Sequence, residues 1–243
     1  MNVCHTITPM ILFFVRDLDE NRAFLEEDEF RHCIKVLRKK EMDLINVTDG
    51  RGRFATAKII HIAKSRAELQ INEIEQKAAK ENTLYLAIAP PKSKSRWEFI
   101  LEKSVECGVD VILPFQSMHS ERVKINVDRA KKIIRSAALQ SKRIVHPSIA
   151  NLCSLDALID FAKNNDIESF IAHYQEDNTS LGNIAFNSKN QMLLIGPEGD
   201  FNPLELEKAI QAGFLPVKLS RNRLRTETAA MVAVTLIESL YMT

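Results

Sequence analysis

The chain has 243 residues, of which 45% are hydrophobic and 27% charged, enough for one large core or two smaller ones. No apolar run approaches the ~20 residues that a membrane-spanning helix needs, and no basic stretch precedes the short apolar run near the start, so the expectation is a cytoplasmic protein without a membrane partner. The formal net charge of +1 excludes nothing about nucleic acid, because a clustered basic patch can hide in the sum. Cys4, Cys33, Cys107 and Cys153 are scattered, without a C-x-x-C pair or histidine at ligand spacing, and read as free thiols with no metal site.

From Met10 to about Ile74, the short runs ILFFV, DLINVTD, GRFATAKIIHI and AELQINEI are separated by turn signals such as Asp49-Gly50-Arg51-Gly52. They predict a small β domain over residues 1–75. One helical piece, EDEFRHCIKVLRKKEMD, interrupts it, with Phe30, Ile34 and Leu37 on one face and Arg31, Lys35 and Arg38 beside them. The polar run EIEQKAAKENT reads as a linker. Residues 76–243 then alternate strand and helix, with the apolar runs LYLAIA, ESFIAHY, QMLLIG and FLPVKLS predicting a mostly parallel sheet covered on both faces, an α/β fold.

Two loops of this second region carry chemistry. In LLIGPEGDFNPLELEKAIQAGF, a strand passes through GPEGD into a helix with Asn202 as N-cap, Pro203 at its first position and Glu205 at the third. Leu206, Ala209 and Ile210 can face the sheet, and Gly213 ends the helix. The loop lies where open α/β sheets bind ligands, but Glu198 and Asp200 would repel a polyphosphate and suit a ligand with positive charge. A tight turn with solvated acids explains the same residues. The second loop follows FLPVKLS: four basic residues lie from Lys218 to Arg225, and Thr226 is the expected N-cap of an alanine-rich helix. Burial is expected at Ala229, Val232, Ala233, Leu236, Ile237 and Leu240. Arg225 and Glu227 would sit at the helix mouth, beside the first loop if the two strands are neighbours, and an ion pair between them is the plain structural reading.

IGPEGD, followed at this distance by LSRNRLRTETAA, resembles the SPOUT superfamily of knotted methyltransferases, in particular the bacterial family that methylates N3 of a uridine in 16S ribosomal RNA. HCIKVLRKKEMD, PPKSKSRWEFILEKSVECGV, SERV and ALQSKR are similar to further motifs of that family in the same order. Two positions depart from its pattern: Asp200 and Ser220 stand where glycines are common. The resemblance implies a trefoil-knotted α/β domain behind an N-terminal PUA-like β-barrel, a homodimer, S-adenosylmethionine as cofactor, and 16S rRNA or the small subunit as partner. It places the cofactor at Ile195, Gly196, Pro197, Glu198, Gly199, Leu219, Ser220, Leu224, Arg225, Thr226, Thr228 and Ala229. A catalytically silent RNA-binding or ribosome-assembly protein of the same fold is the alternative.

The segment from Glu121 to Arg143 carries eight basic residues and two acids. Its Arg122, Lys131, Lys132, Arg135 and Arg143, with Arg31, Lys35, Arg38, Lys92 and Arg96 elsewhere, are the candidates for phosphate contacts, against the alternative of a solvated basic face. For the chemistry, N3 of uracil is a weakly acidic imide, so a general base, or a cation that stabilises its anion, would help. Arg225 is the candidate cation and Glu227 or Glu198 the candidate base. His119 and His173 are further participants, or structural histidines.

Overall fold

A computed structural model describes residues 11–78 and 80–241; the readings at Cys4 and Met10 lie outside the described residues. Among those described, contacts divide the chain into two units, residues 11–78 with Ala138–His146 and residues 80–137 with 147–241.

The first unit contains β1 (Leu12–Phe14), β2 (Arg22–Glu26), α1 (Glu27–Phe30), β3 (Leu44–Thr48), β4 (Arg53–Ile62) and β5 (Arg66–Gln76). The strands run β1-β3-β4-β5-β2, all pairs antiparallel except β1 with β3. β2 escaped the sequence reading because only Ala23 and Leu25 of RAFLE are buried apolar residues, too short an alternation to stand out. β5 also runs through Gln76, into the stretch read as a linker, its backbone pairing with β4 regardless of how polar its side chains are. The expected long helix is a correction as well. One α-turn passes into a π-helical turn, Arg31–Val36, closed by Leu37 N donating to His32 O at 3.0 Å, and Arg38 at φ +57 ends it. The wider turn buries Phe30 and Cys33 and leaves Ile34 and Leu37 only partly covered. Burial pushes the Cys33 thiol up to about 11, which keeps it protonated.

The β3–β4 turn shows why glycine recurs in it. Gly50 has φ +71, and a Cβ there would stand 2.6 Å from His146 Nδ1. Asp49 closes the same turn by accepting hydrogen bonds from Arg51 N, Arg53 N and Arg53 Nε at 2.8, 3.2 and 2.7 Å.

The second unit contains β6 (Thr83–Ile88), α2 (Lys94–Cys107), β7 (Val111–Gln116), α3 (Val127–Gln140, its end counted with the first unit), β8 (Ser148–Ile149), β9 (Cys153–Ser154), α4 (Leu155–Asn164), β10 (Glu168–Ala172), β11 (Thr179–Ser180), β12 (Asn190–Ile195), α5 (Pro203–Gln211), β13 (Leu215–Lys218) and α6 (Thr226–Leu240). The strand order is β11-β13-β10-β12-β6-β7-β8, with every pair parallel and β9 joined to β7. One face packs Ala87, Leu113, Ile171, Met192 and Leu194 against Leu155, Leu158, Ile159 and Ala162 of α4 and Ala209 of α5. Period-two alternation turns Leu86, Ile88, Leu193 and Ile195 to the other side, where α6 packs on β6, β12 and α2. This is the expected parallel α/β sheet covered on both faces. Within α5, Ala209 is buried as expected, whereas Ile210 is 43% exposed, because residues one apart on a helix cannot both face the sheet.

Candidate active site

Four neighbouring strands end on the same edge of the sheet: β13, β10, β12 and β6. The segments that follow them, 218–225, 172–174, 196–200 and the first turn of α2, line one cleft of about 570 Å³. β12 and β13 are therefore not neighbours. β10 lies between them and contributes Ala172, His173 and Tyr174 to the wall.

Local sequence explains how each segment is held. Asn202 caps α5, accepting from Leu204 N at 2.9 Å, and the Glu205 carboxylate returns to Asn202 N at 3.0 Å, completing a capping box. The same buried carboxylate accepts from Ser117 Oγ at 2.8 Å and Met118 N at 2.9 Å, so it anchors the loop after β7 as well. Thr226 is not the N-cap of α6. Arg225 takes that place, and the Thr226 hydroxyl donates to Gly196 O at 3.2 Å, tying the second motif loop to the first. Tyr174 Oη donates to Arg221 O at 2.9 Å and ties the third. Asp200, at φ +65, occupies a backbone region that suits glycine and that aspartate tolerates. It lies 3.8 Å from His173 Nδ1 and 3.6 Å from Arg223 Nη2, while its backbone oxygen is 3.1 Å from His119 Nδ1.

The ion pair expected between Arg225 and Glu227 does not form among the described residues. Arg225 is exposed, and Arg96 instead faces both acids, 3.6 Å from Glu227 Oε1 and 3.9 Å from Glu198 Oε1. Arg96 is the third residue of α2, and its backbone N–H donates to the capping Ser93 Oγ at 3.4 Å. Its cation thus belongs to the cleft and not, as the sequence suggests, with the phosphate contacts.

Of the residues expected around a cofactor, Ile195, Gly196, Pro197, Glu198, Leu219, Ser220, Leu224, Arg225, Thr226 and Ala229 line the cleft. Gly199 and Thr228 do not: Gly199 faces His119, whose Cβ would be 3.2 Å from an added Cβ, and Thr228 is exposed on α6. In α6, Ala233 and Ile237 are buried as expected, but Leu240 is 38% exposed and the fully buried positions include Ala230 and Val234. Sequence reasoning overlooked Tyr174, whose visible signal was the His-Tyr pair ending the run ESFIAHY, and noted Arg223 only as one of the basic residues from Lys218 to Arg225.

The candidate phosphate contacts divide by environment. Arg31, Lys35, Arg38, Lys131 and Lys132 are exposed, and Arg135 and Arg143 are half-buried. Arg122 spends its guanidinium on Pro91 O and Lys92 O at 2.8 and 2.6 Å, which fixes the loop before α2. Lys92 pairs with Glu121, whose carboxylate raises the ammonium above its usual range. No group of side chains able to hold a metal ion occurs among the described residues.

Comparison with known proteins adds the following. Residues 78–238 match a family described as RNA methyltransferase domain, and residues 25–72 one described as RNA methyltransferase PUA domain. The chain is 32% identical over 232 residues to ribosomal RNA small subunit methyltransferase E of Mesomycoplasma hyopneumoniae, covering 93% of this chain and 98% of that one. A probable rRNA-methyltransferase from Porphyromonas gingivalis superposes with a TM-score of 0.86 at 36% identity, over 94% and 97% of the two chains. The ribosomal RNA small subunit methyltransferase E of Neisseria gonorrhoeae, whose structure holds S-adenosyl methionine, superposes with 0.84 at 28% identity, over 95% and 98%.

Proposed function

Because the chain belongs to the ribosomal RNA small subunit methyltransferase E family of RNA methyltransferases, we propose that it transfers the methyl group of S-adenosylmethionine to N3 of a uridine in 16S rRNA. It is an S-adenosylmethionine-dependent rRNA methyltransferase, and its parallel α/β sheet and PUA domain are the SPOUT-type architecture of that family. The observation that carries the reading at the level of residues is the cleft itself. Three loops tied by Thr226 and Tyr174 enclose it at the carboxyl edge of the sheet, with Glu198 and Asp200 on its wall.

Those carboxylates suit a ligand that carries a sulfonium and an ammonium. Ile195, Gly196, Pro197, Leu219, Ser220, Leu224, Thr226 and Ala229 would hold the cofactor, largely through backbone groups and apolar contact. When bound, it supplies an electrophilic methyl group. The chain's own contribution is to align the acceptor nitrogen, keep water out of the cleft and take up the proton that N3 loses. The exposed Arg31, Lys35 and Arg38 in the PUA domain, and Lys131 and Lys132 on α3, would neutralise phosphates. The chain would act in the cytoplasm as a homodimer, for which Leu240 and Tyr241, exposed at the end of α6, offer apolar surface.

Two measurements test this. Nucleoside mass spectrometry of 16S rRNA from a strain lacking the protein should show one N3-methyluridine missing, and unchanged RNA would reject the substrate. Ala229→Leu, which projects a longer side chain into the cleft, should weaken S-adenosylmethionine binding at least tenfold by calorimetry, and undiminished binding would move the cofactor elsewhere.

A further inference from the structure

Two groups on the cleft side of the sheet are left without the partners their chemistry demands. The Glu227 side chain is 15% exposed, and its Oε2 is buried with no hydrogen-bond partner. A buried carboxylate oxygen without a donor costs stability, and in a native protein a catalytic role is one of the reasons such an atom is kept. The Arg96 guanidinium, 39% exposed, approaches Glu227 and Glu198 only at 3.6 and 3.9 Å, beyond hydrogen-bond length, and makes no side-chain hydrogen bond among the described residues. Arg96 lines the cleft, and Glu227 lies directly behind its guanidinium, outside the lining, so a free acceptor stands beside free donors one side chain back from the cleft. That pattern complements an imide, which offers an N–H next to a carbonyl oxygen. A phosphate fits it badly, because two carboxylates flank the guanidinium.

We propose that Arg96 and Glu227 seat the target base, Glu227 accepting the N3 proton while Arg96 stabilises the uracil anion at an adjacent carbonyl oxygen. This rests on the uridine-N3 reading above. It moves the stabilising cation from Arg225, which is exposed and pairs with neither acid among the described residues, to Arg96. The N3–H bond breaks toward the Glu227 carboxylate, which rotates past the Arg96 guanidinium to reach the bound base, and its electron pair stays on the ring, delocalised onto the oxygen that Arg96 contacts. That pair forms the new nitrogen–carbon bond as the carbon–sulfur bond breaks and its electrons return to sulfur. The proton then leaves Glu227 for water. A carboxylate alone is a weak base for an imide, so the guanidinium carries much of the stabilisation. Glu198, 3.9 Å from Arg96 Nη1, positions Arg96.

The test uses the full-length protein and small-subunit particles. Arg96→Gln and Glu227→Gln should each lower kcat about 100-fold at saturating particle and cofactor. Affinity for S-adenosylmethionine and for particles, and the salt dependence of the latter, should stay within about threefold of the parent. Arg96→Lys, which keeps the charge, should lose less. Particles reconstituted with 5-fluorouridine RNA, whose N3–H is more acidic, should restore at least tenfold of the lost rate to both glutamine variants. Loss confined to particle affinity with a shallower salt slope would make Arg96 a phosphate ligand and overturn the proposal. A lost rate that 5-fluorouridine does not restore would also overturn it, assigning the pair a structural role. A parent protein that leaves N3 unmethylated would fail the uridine reading itself, an outcome seen before any variant is compared.

Discussion

Asp49-Gly50-Arg51-Gly52 and Gly196-Pro197-Glu198-Gly199-Asp200 look alike in the sequence: short, glycine-bearing and acidic. Their carboxylates lead different lives. The Asp49 side chain is 1% exposed and accepts from two backbone amides and the Arg53 guanidinium, so it is consumed by its own turn. Glu198 and Asp200 are 38% and 40% exposed and meet their cations only at 3.6 Å or more, and Asp200 accepts a single local bond, from Phe201 N at 2.9 Å. A buried carboxylate that accepts three bonds holds its loop together; a half-exposed one with most of its lone pairs free beside a cleft is available to a ligand.

Glu205 gives the sharpest check, because it stands next to the open loop yet belongs with the saturated kind. Glu205→Ala should cost about 3 kcal/mol in denaturant unfolding, since it strands the Ser117 hydroxyl and the Met118 and Asn202 amides together. A loss under 1 kcal/mol would mean that saturation does not measure structural weight. Asp49→Ala should cost about 2 kcal/mol while leaving cofactor affinity unchanged, and any change in affinity would blur the division between the turns.

Asp49 also predicts a pH dependence. Burial raises its carboxyl, but the hydrogen bonds from the Arg53 side chain and the Arg51 and Arg53 amides outweigh that and hold it below the usual carboxylate range. Its folded value is lowered, so its contribution is present above the unfolded value and disappears as pH falls through the folded one. Asp49→Asn should therefore narrow its stability deficit relative to the parent as acid is added. A deficit constant from pH 7 to the acid transition would contradict this.

Smaller effects belong to the cleft. Thr226→Val should cost about 1 kcal/mol through the lost bond to Gly196 O, together with a several-fold weaker cofactor, measured by thermal shift and calorimetry. Asp200→Gly relaxes a residue at φ +65 and should alter stability by less than about 0.5 kcal/mol, the smallest change of the set. A large loss there would place Asp200 among the structural carboxylates after all.

The chain by itself determined its periodic and local features. Continuous apolar runs such as QMLLIG announced buried parallel strands, and Asn202, Pro203 and Glu205 announced a helix start, because capping is satisfied within four residues. The motif residues of both loops were legible too, and most of them line one cleft. What only the tertiary structure decided depends on elements distant in the chain. β10 separates β12 from β13, which adds a third wall to the cleft. Thr226 gives its hydroxyl to a carbonyl 30 residues away instead of capping its helix. Arg96 takes the place beside Glu227 that the local spacing offered to Arg225, because β6 lies next to β12 in the sheet and delivers the first turn of α2 to the same edge. Capping and periodicity are short-range and can be read along the chain, whereas strand order and charge pairing across loops are set by the packing of the whole sheet.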